Sequence, residues 1–334
     1  MKVNILTEAN KKVGFGHLSR VLSLYDAFHE KKINPQLIIN ADNSITTLVK
    51  DIKYLNINWL KNQQKIIRSI KNSDITIIDS YLASIDFYKK VSKISKIVLY
   101  IDDTKRLDYP KGIVFNAAVI AKNLNYPKKK NVNYLLGLKY VLLRKEFIKS
   151  KKIVLKKIVK SILLTLGGTD IRQLTIPIIK KLTVEFPDYK KNVIIGKGYN
   201  NLNAIKKIKD KNIFFHFDPP IKQFIDLINK SDIAISAGGQ SMYELTSLGI
   251  PTIAIIVANN QLNIVKGLNK VGVINYFEQW NDSKLLSKLI ADIKKTSIYD
   301  IRHKQSKKGK RIIDGQGSKR VIDFMIDKIS KKIL

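Results

Sequence analysis

The sequence predicts an α/β protein built from two doubly wound halves, each a parallel sheet with helices on both faces. Three observations carry this. Short apolar runs alternate with helical patterns through the first half; the alternation restarts at Ser161; and glycine turns stand at strand-to-helix corners in both halves, at Gly14 and Gly16, Gly167 and Gly168, and Gly238 and Gly239. A chain of 334 residues is long enough for two ordinary domains, expected over residues 1–150 and 151–334.

Composition sets the classes that remain. Hydrophobic residues make up 45% of the chain, which excludes a mainly disordered protein. Met1 is not followed by a charged-then-apolar leader, and no apolar run reaches the length of a membrane span, so a soluble cytoplasmic protein is expected. The absence of cysteine excludes disulfides, zinc–thiolate sites and thiol nucleophiles. The formal charge of +34 would suit nucleic acid, an anionic membrane surface or an anionic substrate. The excess is nearly all lysine, however, spread along the chain together with abundant isoleucine and asparagine, as an AT-rich coding bias would leave it. The lysine runs at 128–130 and 307–310 are not interleaved with aromatics as base-stacking platforms would be. A solvated surface, with at most weak contact to an anionic membrane surface and no specific nucleic acid, is the expectation.

The first strand, residues 3–6, runs through Val13-Gly14-Phe15-Gly16-His17 into a helix over 18–28, where Leu18, Leu22, Tyr25 and Phe28 recur at helical spacing. The glycines allow a sharp turn and close approach to a ligand, and a helix start offers free N–H groups suited to phosphate. His17 stands at that junction, and imidazole is a base near neutral pH. Further strands are expected at 36–40, 54–59, 75–79 and 97–102. Ligands of parallel sheets gather beyond the strands' carboxyl ends, which here carry Thr7-Glu8, Asp79-Ser80-Tyr81 and Asp102-Asp103. Asp79 and Ser80 read equally as caps of the next helix, and Tyr81 as a holder of water or a sugar hydroxyl. Asp102-Asp103 reads as a turn, because adjacent side chains diverge and no histidine stands near to complete a metal site. Residues 112–147 are irregular, and the charged stretch 149–160 reads as a linker.

In the second half, residues 161–166 form a strand ending in Gly167-Gly168-Thr169-Asp170, with Thr169 or Asp170 capping a helix that follows. Strands are expected at 192–195, 213–217 and 233–236. His216 falls inside a strand and reads as structural, whereas His29 and His303 lie in polar helical stretches and read as exposed. The strongest pattern is Ser236-Ala237-Gly238-Gly239-Gln240-Ser241-Met242-Tyr243-Glu244: a strand end, a glycine loop, then a helix start for a phosphate. Glu244, one turn in, either accepts both ribose hydroxyls or simply complements the helix dipole. A buried strand within 250–258 leads to Asn260 and Gln261, amides able to donate and accept. The chain closes with Asp314-Gly315-Gln316-Gly317 and a last helix to Leu334, assigned with the second half.

Taken together, Gly14-Phe15-Gly16-His17 with Arg20, Ile78-Asp79-Ser80-Tyr81, Ile101-Asp102-Asp103, Asn116 with Ala121-Lys122, Leu143-Arg144-Lys145-Glu146-Phe147, Gly167-Gly168-Thr169-Asp170, Glu244 and Asn260-Gln261 resemble the UDP-sugar hydrolases of pseudaminic acid synthesis and the related spore-coat polysaccharide proteins. The order and spacing hold over residues 1–265. The resemblance implies a glycosyltransferase-B (GT-B) fold, two Rossmann-like domains facing a cleft that holds a UDP-linked diacetamido-trideoxyhexose. It implies inverting cleavage of the anomeric C–O bond by water, with no metal and no cofactor. It makes His17 the base, with Tyr81 and Asn260 holding water or sugar. Gly14, Gly16, Arg20, Asp79, Gly167, Gly168, Gly238, Gly239, Gln240, Ser241, Glu244 and Gln261 would bind the UDP-sugar. After Asp79 the chain has Ser80-Tyr81-Leu82 where pseudaminic-pathway members show His-Tyr-Gly. A GT-B transferase using a UDP-sugar donor for surface or spore-coat polysaccharide is the alternative, and a basic binding protein the third reading.

Overall fold

A computed structural model describes residues 1–10, 14–46 and 48–333. The first residue of the glycine turn as read from sequence, Val13, and the terminal Leu334 lie outside the described residues. The chain divides into two compact units, Met1–Lys145 with Gly315–Leu334, and Glu146–Asp314.

Unit 1 holds seven parallel strands: β1 (Val3–Ala9), β2 (Gln36–Ala41), β3 (Tyr54–Asn56), β4 (Ser73–Asp79), β5 (Ser95–Ile101), β6 (Gly112–Asn116) and β7 (Val132–Leu136), in the order β3-β2-β1-β4-β5-β6-β7. Their apolar runs are near-continuous because both faces are covered. Leu37, Ile5, Ile77, Leu99 and Ile113 form one row across five strands, on the face packed by the helix Gly16–Glu30. The next row, Ile38, Leu6, Ile78, Tyr100 and Val114, points to the opposite face, against Trp59, Phe87 and Tyr88. The strand expected over 54–59 ends at Asn56, and Trp59 instead plugs the core, its Nε1 donating to the Thr7 carbonyl at 2.9 Å. Strands β6 and β7 occupy the stretch expected to be irregular.

Unit 2 holds β8 (Ser161–Thr165), β9 (Lys190–Ile195), β10 (Ile213–Phe217), β11 (Ile233–Ala237), β12 (Thr252–Ile256) and β13 (Phe277–Gln279). They too are parallel, in the order β10-β9-β8-β11-β12-β13. Val193, Leu164, Ile235 and Ile253 line one buried face, and Leu163 and Ala234 belong to the other. The segment read as a linker starts inside this unit: Phe147 and Ile153 pack with Leu163 and Leu248, and the Ile153 N–H bonds to the Leu248 carbonyl at 2.9 Å.

Strand order reverses between β1 and β4 in unit 1 and between β8 and β11 in unit 2. Such switch points open a crevice at the carboxyl ends of the strands. Each glycine turn singled out by sequence follows one of these four strands.

The last helix, Gly317–Ile333, goes with unit 1 and not with the domain expected over 151–334. Its stripe of Val321, Met325 and Ile329, at four-residue spacing, is buried in the same cluster as Ile5 and Val21. Lys31 pairs with Asp323 at 2.7 Å, and Arg320 Nη1 donates to the Lys139 carbonyl at 2.9 Å. Met325→Ala is therefore expected to destabilise unit 1 by about 2–5 kcal/mol, the usual range for emptying a core methionine site. Hydrogen exchange checks this: β1 and β4 amides should exchange faster while those of β8 and β11 are unchanged.

Candidate functional site

The site of unit 1 is built where β1, β4 and β5 end. Gly14 takes the left-handed conformation, φ +86°, and its N–H bonds to the Asn10 carbonyl at 2.7 Å, which folds the chain back before the helix. The helix begins at Gly16, two residues earlier than the sequence pattern indicates, so His17 lies in its first turn. No side chain among the described residues caps it, and no acidic residue occupies that turn. His17 and Arg20 share one helix face at i, i+3. That helix covers the sheet face onto which Asp79, last residue of β4 and in register with Thr7 and Ile101, also points.

Asp79 consequently meets both side chains. Its Oδ1 lies 2.5 Å from His17 Nδ1 and 2.7 Å from Arg20 Nη2, and its Oδ2 accepts from Arg20 Nε at 2.5 Å. Arg20 Nη1 spans both oxygens of Asp103, at 2.8 and 2.9 Å, and the Tyr81 hydroxyl donates to the same carboxylate. The Tyr81 ring stands edge-on to the His17 imidazole, centroids 4.4 Å apart.

These contacts decide the protonation states. Burial alone would raise the Asp79 carboxyl, but the Arg20 guanidinium and then His17 hold it down at about 2. Arg20 is disfavoured by burial, yet Asp103 and Asp79 keep it charged well above the usual arginine range. Burial, followed by Asp103, pushes the Tyr81 phenol up, so it stays a hydrogen-bond donor. An ionised Asp79 accepts a hydrogen bond from His17 Nδ1, which leaves Nε2 as the other ring nitrogen. No described residue hydrogen-bonds that atom. The cluster thus fixes the imidazole by Nδ1, with Nε2 unbonded among the described residues.

Of the residues expected to bind ligand, Asp79 is fully buried and Arg20 has Nε, Nη1 and Nη2 all hydrogen-bonded to carboxylates. The reading of Asp79 and Ser80 as helix caps gives way: the helix Ile85–Ile94 is capped by Ser84 Oγ, which accepts from Phe87 N. Ser80 Oγ instead takes the N–H groups of Leu82 and Ala83 and donates to Glu8. Burial raises the Glu8 carboxyl, against the pull of that bond. Asp102 holds a turn, as read from sequence, accepting from Thr104 N, Arg106 N and the Tyr126 hydroxyl. Asp103 was missed. The only signal for it was an arginine one turn beyond the histidine with carboxylates at two neighbouring strand ends.

In unit 2 the remaining predicted residues gather at the carboxyl ends of β8, β11 and β12. Gly167 turns at φ +85°, and Gly168 is in backbone contact with the loop after β9: a Cβ on Gly196 would fall 2.5 Å from Gly168 Cα. The helix expected at once begins only at Thr175; Asp170 ties it to the loop, accepting from Leu174 N at 3.0 Å and Thr175 N at 2.9 Å. After β11, the loop Gly238-Gly239-Gln240 leads straight into the helix Ser241–Leu248, where the Gln240 side chain makes no capping bond among the described residues. Gln240 and Ser241 are half-buried, and Glu244 is almost wholly buried one turn in. Gln261, expected to touch the ligand, also joins two strand ends through Oε1, which accepts from Gly238 N at 3.2 Å and Val257 N at 3.0 Å. Asn260 is exposed in the short 3₁₀ turn Asn259–Gln261. His216 bonds Asn192 Oδ1 through Nε2 at 3.3 Å, while His29 and His303 are exposed. No described helix is long and apolar enough to cross a membrane.

No protein-family model matches the chain. Among curated proteins, the spore coat polysaccharide biosynthesis protein SpsG of Bacillus subtilis is 24% identical over 345 residues, covering all of both chains. The UDP-2,4-diacetamido-2,4,6-trideoxy-beta-L-altropyranose hydrolase of Campylobacter jejuni is 27% identical over 81% of this chain and 97% of its own. An uncharacterized protein of Methanocaldococcus jannaschii, MJ1062, is 30% identical over 76% of this chain, which spans only 55% of that relative's length. Among solved structures, MnaA of S. aureus with UDP superposes with a TM-score of 0.67 at 13% identity, over 99% of this chain and 98% of that one. MurG of Acinetobacter baumannii gives 0.61 at 13% identity, over 98% and 100%. The chain is thus a sequence relative of SpsG and of the UDP-diacetamido-trideoxy-altropyranose hydrolase, carried on the GT-B fold of glycosyltransferases and UDP-sugar epimerases.

Proposed function

We propose that this chain is a nucleotide-sugar hydrolase that cleaves the anomeric C–O bond of a UDP-linked diacetamido-trideoxyhexose, releasing UDP and free sugar for surface-glycan (nonulosonic acid) synthesis. The observation that carries the reading is the His17–Asp79 pair, which holds the imidazole by Nδ1 and leaves Nε2 for proton transfer. In this mechanism Nε2 removes a proton from water as the water oxygen bonds to the anomeric carbon. The bond from that carbon to the UDP oxygen breaks on the opposite face, so the configuration inverts. Inverting sugar hydrolysis ordinarily pairs a base with an acid; a diphosphate leaving group carries its own charge and needs little protonation. Arg20 keeps Asp79 ionised through the cycle, and the ionised Asp79 stabilises the imidazolium that forms. Tyr81, held as a phenol, and Asn260 are assigned to water or sugar hydroxyls. The Gly238-Gly239 loop with Ser241 and Glu244, and the Gly167-Gly168 loop, are assigned to the nucleotide.

The names of the relatives support sugar-nucleotide processing in glycan synthesis. A transferase using the same donor is the second reading, favoured by the glycosyltransferases among the structural neighbours. Incubation of the purified protein with a panel of UDP-sugars and no acceptor separates the two. The hydrolase reading expects UDP release from one of them; release only on addition of an acceptor sugar would replace it with the transferase reading.

A further inference from the structure

The carboxyl edge of the unit 2 sheet carries one arginine that its neighbours hold still. Arg172 is exposed, in the loop between β8 and the helix Thr175–Glu185. Its guanidinium carbon lies 3.8 Å from the centroid of the Trp280 ring, the residue directly after β13, and its Nε donates to the Val257 carbonyl, just past β12, at 3.0 Å. Nη1 and Nη2 donate to no described residue. The loop itself is fixed by Asp170, whose carbonyl accepts from Gln173 N at 2.9 Å in addition to the two bonds of its carboxylate. Asp170 and Gln173 both adopt left-handed backbone, φ +42° and +53°, unfavourable for non-glycine residues and here maintained by those bonds. An exposed arginine is normally a mobile chain that gives up rotamer freedom when it binds. Stacking and one hydrogen bond remove that freedom in advance.

The same bond ties Arg172 to the glycine loop. Val257 receives Arg172 on its carbonyl, and its N–H shares Gln261 Oε1 with the N–H of Gly238. The N–H of the next residue, Gly239, has no partner among the described residues. Two paired, immobilised N–H groups on a planar cation match two oxygens of a phosphate, a fit lysine lacks.

We infer that Arg172, clamped on Trp280, is the side chain of unit 2 that binds the diphosphate of the nucleotide. The inference rests on the proposed assignment of the nucleotide to unit 2. It is tested by calorimetric titration of UDP and of uridine into the full chain and into Arg172→Ala, Arg172→Lys and Trp280→Ala, with thermal unfolding of each variant as the control for folding. UDP affinity should fall roughly ten- to a hundredfold in both Arg172 variants, the loss of charge-assisted hydrogen bonds that lysine does not restore. It should fall less in Trp280→Ala, roughly threefold to tenfold, because the cation remains but its platform is gone. Uridine, which has no phosphate, should bind all four proteins alike. Equal UDP affinity in wild type and both Arg172 variants overturns the inference and leaves the nucleotide assignment standing. A wild-type chain that binds neither UDP nor uridine overturns both.

Discussion

His17→Ala and His17→Asn are expected to lower turnover of the UDP-sugar by about 10²–10⁴, the usual contribution of a positioned base. The structure sharpens this expectation. His17 Nδ1 is bound to a carboxylate that Arg20 holds ionised, so the ring is oriented with Nε2 as the nitrogen left for the proposed proton transfer. Asparagine can keep a hydrogen bond to Asp79 but has no basic nitrogen, so its activity should fall as far as that of alanine. UDP affinity should change little in either variant, because the nucleotide is assigned to unit 2 and His17 belongs to unit 1. Steady-state kinetics with parallel UDP calorimetry check both parts; a variant that retains wild-type kcat would remove His17 from the chemistry.

Asp79→Asn should combine the second large loss of rate with a loss of stability. An amide in place of the carboxylate can donate to His17 Nδ1 and so favours the wrong tautomer, and turnover should drop by about 10²-fold or more. The buried Arg20 would keep only Asp103 as a full counter-charge; breaking a buried ion pair from one side costs about 3–5 kcal/mol. Acid titration gives a further signature. Asp79 ionises near 2 in the folded protein against an ordinary 3.8, so its charged form stabilises the fold above the ordinary value. That contribution, about 2 kcal/mol, is lost as pH falls through the folded value. The stability difference between wild type and Asp79→Asn should therefore be constant above pH 4 and shrink toward pH 2, as measured by urea unfolding at each pH. A flat difference down to pH 2 would mean that Asp79 is not the ion held by Arg20.

Much of this arrangement was legible in the residues. The apolar runs are nearly unbroken because both sheets are covered on two faces, and that placed β1, β2, β4, β5, β8 and β11 close to their observed limits. Gly14-Phe15-Gly16-His17, Asp79 and Tyr81 could be picked out because chemistry at a parallel sheet collects at strand ends. What sequence could not supply were partners chosen through space. Asp103 looks like any turn residue until β5 is seen beside β4, which carries it to Arg20. Gln261 reads from sequence only as an amide able to bind a ligand; the ends of β11 and β12 add two N–H groups to its Oε1. The stripe of Val321, Met325 and Ile329 marks the last helix as amphipathic but does not say which sheet it covers. Strands β3, β6 and β13 are short or bounded by turns, and their pairing comes from neighbours more than from their own pattern.

The most direct measurement of the central claim is turnover in ¹⁸O-labelled water, with the products separated and weighed by mass spectrometry. A hydrolase that activates water at His17 for attack on the anomeric carbon places the heavy oxygen on the released sugar and none on UDP, without any acceptor, and His17→Asn loses the label together with the product. Heavy oxygen on UDP would place the attack at phosphorus and would contradict the role of His17 as the base that Asp79 and Arg20 hold ready for the anomeric carbon.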